Sequence, residues 1–180
     1  MKTISIDDHL ELKEIQISDA PEMFQTIDNE RASLRTWLPF VDFTTELEDS
    51  ERFIESILSV PVENREFVFV IREHGQFAGI IGFRGSDLYN RKTEIGYWLD
   101  PNFQKKGIMT RSVIELLKYA FDELNMNRVQ IRCAVENFPS RAIPEKLGFM
   151  FEGIERSGEF LANQEFTDLA VYSMLKEEFL

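Results

Sequence analysis

Residues that often carry chemistry are scarce in this 180-residue chain, which has one cysteine and two histidines. A lone Cys133 excludes an internal disulfide, and its apolar strand-like surroundings suit a packed core residue better than a nucleophile. His9 and His74 are too few and too scattered to hold a metal with these neighbours, so no metal is expected. No apolar run approaches the roughly 20 residues that cross a bilayer. The segment Met1-Lys2-Thr3-Ile4-Ser5-Ile6-Asp7-Asp8-His9 is too charged for a signal peptide. A reducing cytoplasm and no membrane partner are the corresponding expectations. Cations are also in short supply, with 20 Lys and Arg against 32 Asp and Glu and a net charge of −12. That balance opposes direct nucleic-acid binding, which relies on basic contacts to phosphate. It would attract a cationic partner such as an amine or a basic peptide, although acidity can equally serve solubility alone. Neither nucleotide signature, G-x-x-x-x-G-K-[ST] or G-x-G-x-x-G, occurs.

What is abundant is apolar: 43% of residues are hydrophobic and sixteen are phenylalanine. Such a chain folds, and its length suits one domain over residues 1–180. No repeat, low-complexity tract or linker interrupts it. Apolar alternation predicts strands over His9–Ile17, Glu66–Arg72, Phe77–Arg84, Thr93–Leu99, Arg128–Val135, Phe149–Arg156 and Phe166–Leu175. Helical spacing predicts helices after Ser18, over Arg31–Leu38, Leu47–Val60, Gly107 to about Leu124, and Ser140–Leu147. Asp19 and Glu22 read as a capping box for the first helix, with Pro21 in its first turn. The pattern is α+β, with a mostly antiparallel mixed sheet around one βαβ unit.

The segment Gln104-Lys105-Lys106-Gly107-Ile108-Met109-Thr110 lies between a strand and a long amphipathic helix. Backbone N–H groups without helical partners converge at a helix head, the dipole adds positive character, and glycine admits phosphate close to the backbone. A ligand carrying phosphates follows, held locally by Lys105, Lys106 and also Arg111 or Arg141. Downstream stand Asn137-Phe138-Pro139-Ser140-Arg141 and Glu145-Lys146-Leu147-Gly148-Phe149. Asn137 and Ser140 suit a helix start, and Gly148 its end. Pro144 removes an N–H inside this helix and should free the carbonyl of Ser140.

These two blocks, in this order, resemble the GNAT acetyltransferases of RimJ/RimL type, which bind pyrophosphate through [QR]-x-x-G-x-[GA] and carry N-x-x-S … E-K-x-G-F. Met109 departs from the small residue usual there. With the closing run Asp168–Leu175 the resemblance covers nearly the whole chain. It implies a single-domain GNAT fold with a splayed parallel strand pair, Thr93–Leu99 beside Arg128–Val135, and flanking helices. It implies acetyl-CoA as cosubstrate, contacted by Trp98, Leu99, Gln104, Lys105, Lys106, Gly107, Ile108, Met109, Thr110, Asn137 and Ser140. Gly96 reads either as a strand bulge or as room for a neighbouring side chain. The resemblance further implies Ser140 as the general acid for the leaving thiolate and Glu159 as the base for the amine, with Glu155, Glu165 and Asp168 as rivals. Trp37, Phe40 and Phe43 would line the acceptor groove, although aromatics of this kind more often fill a core. The implied acceptor is a protein N-terminus, notably a ribosomal protein's. An α-amine with pKa near 8 loses its proton at neutral pH for about 1 kcal/mol, against about 5 for lysine. The alternatives are a small amine (polyamine, amino acid or aminoglycoside), or a noncatalytic acyl-CoA-binding module. A homodimer or higher homo-oligomer is also expected.

Overall fold

The computed structural model describes residues 2–61 and 64–179. Met1, Val62, Glu63 and Leu180, including both ends of the expected domain, lie outside the described residues. Among the described residues, eight strands form one sheet: β1 (Thr3–Ser5), β2 (Leu10–Glu14), β3 (Val68–Glu73), β4 (Gln76–Asp87), β5 (Lys92–Leu99), β6 (Arg128–Ala134), β7 (Met150–Phe160) and β8 (Phe166–Leu175). Their spatial order is β1-β2-β3-β4-β5-β6-β8-β7. Every neighbouring pair is antiparallel except β5 and β6.

Strand alternation divides the core in two. On β3, Phe69 and Ile71 join one buried cluster while Val70, between them, joins the other. The first cluster is closed by α4 (Ile108–Lys118), through Val113, Leu116 and Leu117. The second is closed by α1 (Ala20–Asn29) and α3 (Leu47–Leu58), through Met23, Ile27 and Ile54. The short α2 (Arg31–Leu34) leads into the connecting loop, and α5 (Phe138–Lys146) lies between β6 and β7. Arg31 holds that loop by donating to the carbonyls of Val41 (2.5 Å) and Thr44 (2.7 Å).

Several local expectations change. The first strand is shorter than His9–Ile17 and is edged by β1, which the charged N-terminus conceals. Asp19 does not cap α1. Its carboxylate accepts the Gln16 N–H (2.8 Å) and an Arg72 donor (2.7 Å), and Glu22 also takes Arg72 (2.6 Å). The helix after Gly107 widens into a π turn over Tyr119–Glu123, where the Leu124 N–H reaches back to the Tyr119 carbonyl (3.1 Å). Tyr119, Ala120 and Phe121 are all buried, and three consecutive buried positions do not share one face of a regular helix. Gly96 is not a bulge: it pairs in register with Gly82, and the β4–β5 irregularity falls between Arg84 and Asp87.

Candidate active site

The parallel pair is brief. Lys92, Thr93 and Glu94 of β5 face Arg128, Val129 and Gln130 of β6, and the pairing ends there. Beyond it β5 keeps its ladder to β4 as far as Leu99, while β6 keeps its ladder to β8 as far as Ala134. A gap opens between the two strands. Its polarity follows from the β4–β5 ladder, where the Asp100 N–H donates to the Ala78 carbonyl (2.8 Å). Antiparallel pairing alternates, so Trp98 also turns its backbone groups toward β4, whereas Tyr97 and Leu99 turn theirs into the gap. Of the two backbones expected to meet pantetheine, Leu99 faces the opening and Trp98 does not. The Tyr97 backbone faces the opening as well.

Beside the gap lies a cavity of about 760 Å³, a size suited to a substantial ligand. Its wall includes the loop after α2 (Thr36, Trp37, Leu38), the end of β5, and residues of α4 and α5. Gln104, Lys105, Gly107, Ile108, Met109, Thr110, Asn137 and Ser140 all border it. Gly107 is the N-cap of α4, with φ +71° and no side-chain cap. The first N–H groups of α4 therefore lack both helical partners and a capping oxygen. Met109 borders the cavity and is also packed in the α4 cluster, where it is largely buried.

The cations are distributed differently from expectation. Lys106 does not border the cavity; its ammonium lies over the Phe103 ring at 5.1 Å. Arg111 is paired with Asp7, and Arg141 donates to the Val135 carbonyl (2.9 Å) and the Tyr172 hydroxyl (3.1 Å). Neither arginine borders the cavity, whereas Lys146 does. That lysine stood in Glu145-Lys146-Leu147-Gly148, and the helical position that aims it into the cavity was its only signal. Trp37 borders the cavity, while Phe40 is partly exposed and Phe43 is 79% exposed, so none of the three is a core aromatic.

Ser140 lies in the first turn of α5, where its N–H donates to the Asn137 side chain (3.3 Å). Asn137 is thus the cap. The Ser140 hydroxyl approaches the Tyr97 hydroxyl (3.4 Å). Burial pushes the Cys133 thiol up to about 11, which keeps it protonated at neutral pH.

On the other side of the sheet, a carboxylate that sequence reasoning missed organises the surface. Glu94 is 6% exposed and receives Arg84 Nε (2.6 Å), Arg132 Nε (2.7 Å) and Gln130 Nε2 (2.8 Å). It occupies the last rung of the parallel pair. Glu159, on β7 opposite Thr167, feels Arg84, Arg132 and Glu94. Burial raises its pKa above the ordinary carboxylate value. It does not border the cavity, and among the described residues its carboxylate makes no hydrogen bond or ion pair. Its rivals are engaged: Glu155 with Arg132 (2.8 Å), Asp168 with the Ser157 N–H (2.7 Å), and Glu165 with Asn163 (3.0 Å).

Comparison with known proteins places this architecture. Residues 9–150 match the family described as acetyltransferase (GNAT) domain. YdaF of Bacillus subtilis (strain 168), described provisionally as a ribosomal N-acetyltransferase, is 34% identical over 99% of this chain and 97% of its own. The ribosomal-protein-serine acetyltransferase of Escherichia coli (strain K12) is 26% identical over 97% of each chain. Among solved structures, RimL, a ribosomal L7/L12 alpha-N-protein acetyltransferase in complex with coenzyme A, superposes with a TM-score of 0.92. It is 26% identical over 97% of this chain and 98% of its own. The family match over most of the chain, the relative of 34% identity along its whole length and the superposition on RimL agree: the chain belongs to the GNAT family of N-acetyltransferases.

Proposed function

We propose that this enzyme transfers the acetyl group of acetyl-CoA to the α-amine of a protein N-terminus, a ribosomal protein being the foremost acceptor. The observation that carries this reading is the uncapped head of α4, open onto the cavity beside the strand gap. Pyrophosphate would be bound by the backbone at Gly107–Thr110 with Gln104, Lys105 and Lys146 near by. Lys106 would act only as a more distant charge. Pantetheine amides would satisfy the gap-facing groups of Tyr97 and Leu99, replacing the missing strand partner. Asn137 and Ser140 would flank the thioester end.

The chemistry is one displacement. The amine nitrogen bonds to the acetyl carbon, the carbon–sulfur bond breaks, and CoA leaves as its thiolate. In this reading Ser140 Oγ–H gives the thiolate its proton, and Glu159 takes the proton that the amine must lose. The raised pKa and unengaged carboxylate of Glu159 support the second assignment over its rivals. The similarity to ribosomal-protein acetyltransferases supports the acceptor. We further take residues 1–180 as one N-acetyltransferase domain working in the cytoplasm. Exposed Met150, Phe151 and Ile154 along the edge strand β7 favour a homodimer.

Thiol release from acetyl-CoA, measured against peptides with free Ser or Ala N-termini, N-blocked controls and polyamines, tests the reading. Turnover confined to free N-termini is expected. Turnover with polyamines alone would refute the acceptor, and acetyl-CoA binding without turnover across the panel would favour a binding module.

A further inference from the structure

The interior of α5 contains Pro144, which has no N–H, so the carbonyl four residues earlier, that of Ser140, has no helical partner. A carbonyl in this position needs a donor from elsewhere. The structure supplies one across the fold: Tyr97, on β5 at the edge of the gap, donates its hydroxyl to the Ser140 carbonyl at 3.0 Å. The same hydroxyl oxygen accepts from Ser140 Oγ at 3.4 Å. Both bonds end on one residue, and the Tyr97 ring packs against the α4 cluster on a strand held to β4 on its other side.

We infer that Tyr97 is a positioning residue, locking Ser140 onto the sheet through the carbonyl that Pro144 leaves open and so setting the aim of the serine hydroxyl. This role rests on the reading of Ser140 as proton donor. Tyr97 is not a proton relay, because its single proton is committed to the carbonyl, and burial raises its pKa well above the ordinary phenol value. It holds the first turn of α5 at a fixed distance from the strand whose backbone faces the substrate. Proline in α5 and tyrosine in β5 are two halves of one device.

The test is a double-substitution cycle. Tyr97→Phe removes the hydroxyl and keeps the ring. Pro144→Ala restores an N–H that can reach the Ser140 carbonyl within the helix. With acetyl-CoA and a peptide bearing a free N-terminal serine, Tyr97→Phe should lower kcat by about tenfold or more, as misplacement of a reacting group does. KM for acetyl-CoA should change by less than about twofold, because binding and transition-state contacts separate in this way. Adding Pro144→Ala to Tyr97→Phe should recover most of the lost kcat, and the two changes should be non-additive in denaturant melts. Additive stabilities and no recovery would overturn the link. Wild-type kcat in Tyr97→Phe alongside an impaired Ser140→Ala would overturn the positioning role alone. Full activity in Ser140→Ala would overturn the reading of the serine on which the role rests.

Discussion

Substituting Gly107 by alanine separates the cost of an unusual backbone from the cost of a filled anion site. Gly107 holds φ +71°, and a methyl group built there meets no atom within 4 Å. The fold therefore resists the change only through conformation. A left-handed L-residue costs about 1–2 kcal/mol. For a chain of this size that lowers Tm by roughly 2–8 °C. The same methyl would project into the space where phosphate must meet the α4 N–H groups. Losing one charge-assisted hydrogen bond there, worth about 1.5–3 kcal/mol, would weaken acetyl-CoA by roughly tenfold to a hundredfold. Gly75, in the hairpin between β3 and β4, is a matched control: it holds φ +77°, also in open space, and does not border the cavity. Gly75→Ala should show a similar fall in Tm with unchanged affinity. Calorimetric titration of both variants with acetyl-CoA, beside thermal melts, gives the answer. If Gly107→Ala loses stability as Gly75→Ala does and still binds acetyl-CoA as wild type, the phosphate site is not at the head of α4.

Further outcomes are expected from carboxylate and lysine substitutions. Glu159→Gln should remove the acid limb of the kcat–pH profile, a limb that lies above the ordinary glutamate value because burial raises this pKa. A raised folded pKa means that stability is fullest below the unfolded value and falls as pH climbs through the folded one, so the same variant should melt higher than wild type at neutral pH. Glu152 is lowered from 4.5 to about 2, chiefly by its hydrogen bonds from Arg128. Its contribution to stability is present above the unfolded value and lost as pH drops toward about 2, and acid titration of Glu152→Gln should lose that part of the wild-type slope. Lys146→Ala should raise KM for acetyl-CoA by roughly threefold to tenfold, more at low salt, whereas Lys106→Ala should change it less than about twofold. Equal effects of the two lysines in steady-state kinetics would overturn their separation.

Features that depend on neighbours in sequence were legible from the chain. The strand Phe166–Leu175 carries a clear apolar run and ends where the structure ends it. Gly107 marked the start of α4 for reasons internal to one turn of backbone. Features that depend on distant partners were not. Asp19 has every local reason to cap α1, yet Arg72 arrives from β3 and takes it. Glu94 looks like an isolated polar residue in Glu94-Ile95-Gly96-Tyr97-Trp98-Leu99 until β4 and β6 bring Arg84, Gln130 and Arg132 to it. The opening left by Pro144 could be read from the helix alone, but the tyrosine that fills it belongs to another strand. Trp37 reads as a core aromatic because composition cannot tell a cavity wall from an interior.

The early end of the β5–β6 pairing makes this enzyme record its own occupancy in isotope. Amides at Trp98 and Gly96 are protected by β4 whether or not a ligand is present, whereas those at Tyr97 and Leu99 face the gap without a strand partner. Deuterium should enter at alternate residues along one strand, fast then slow then fast, in the free enzyme. A bound pantetheine arm would act as the missing strand and flatten that alternation, one amide at a time, without any helix having to move.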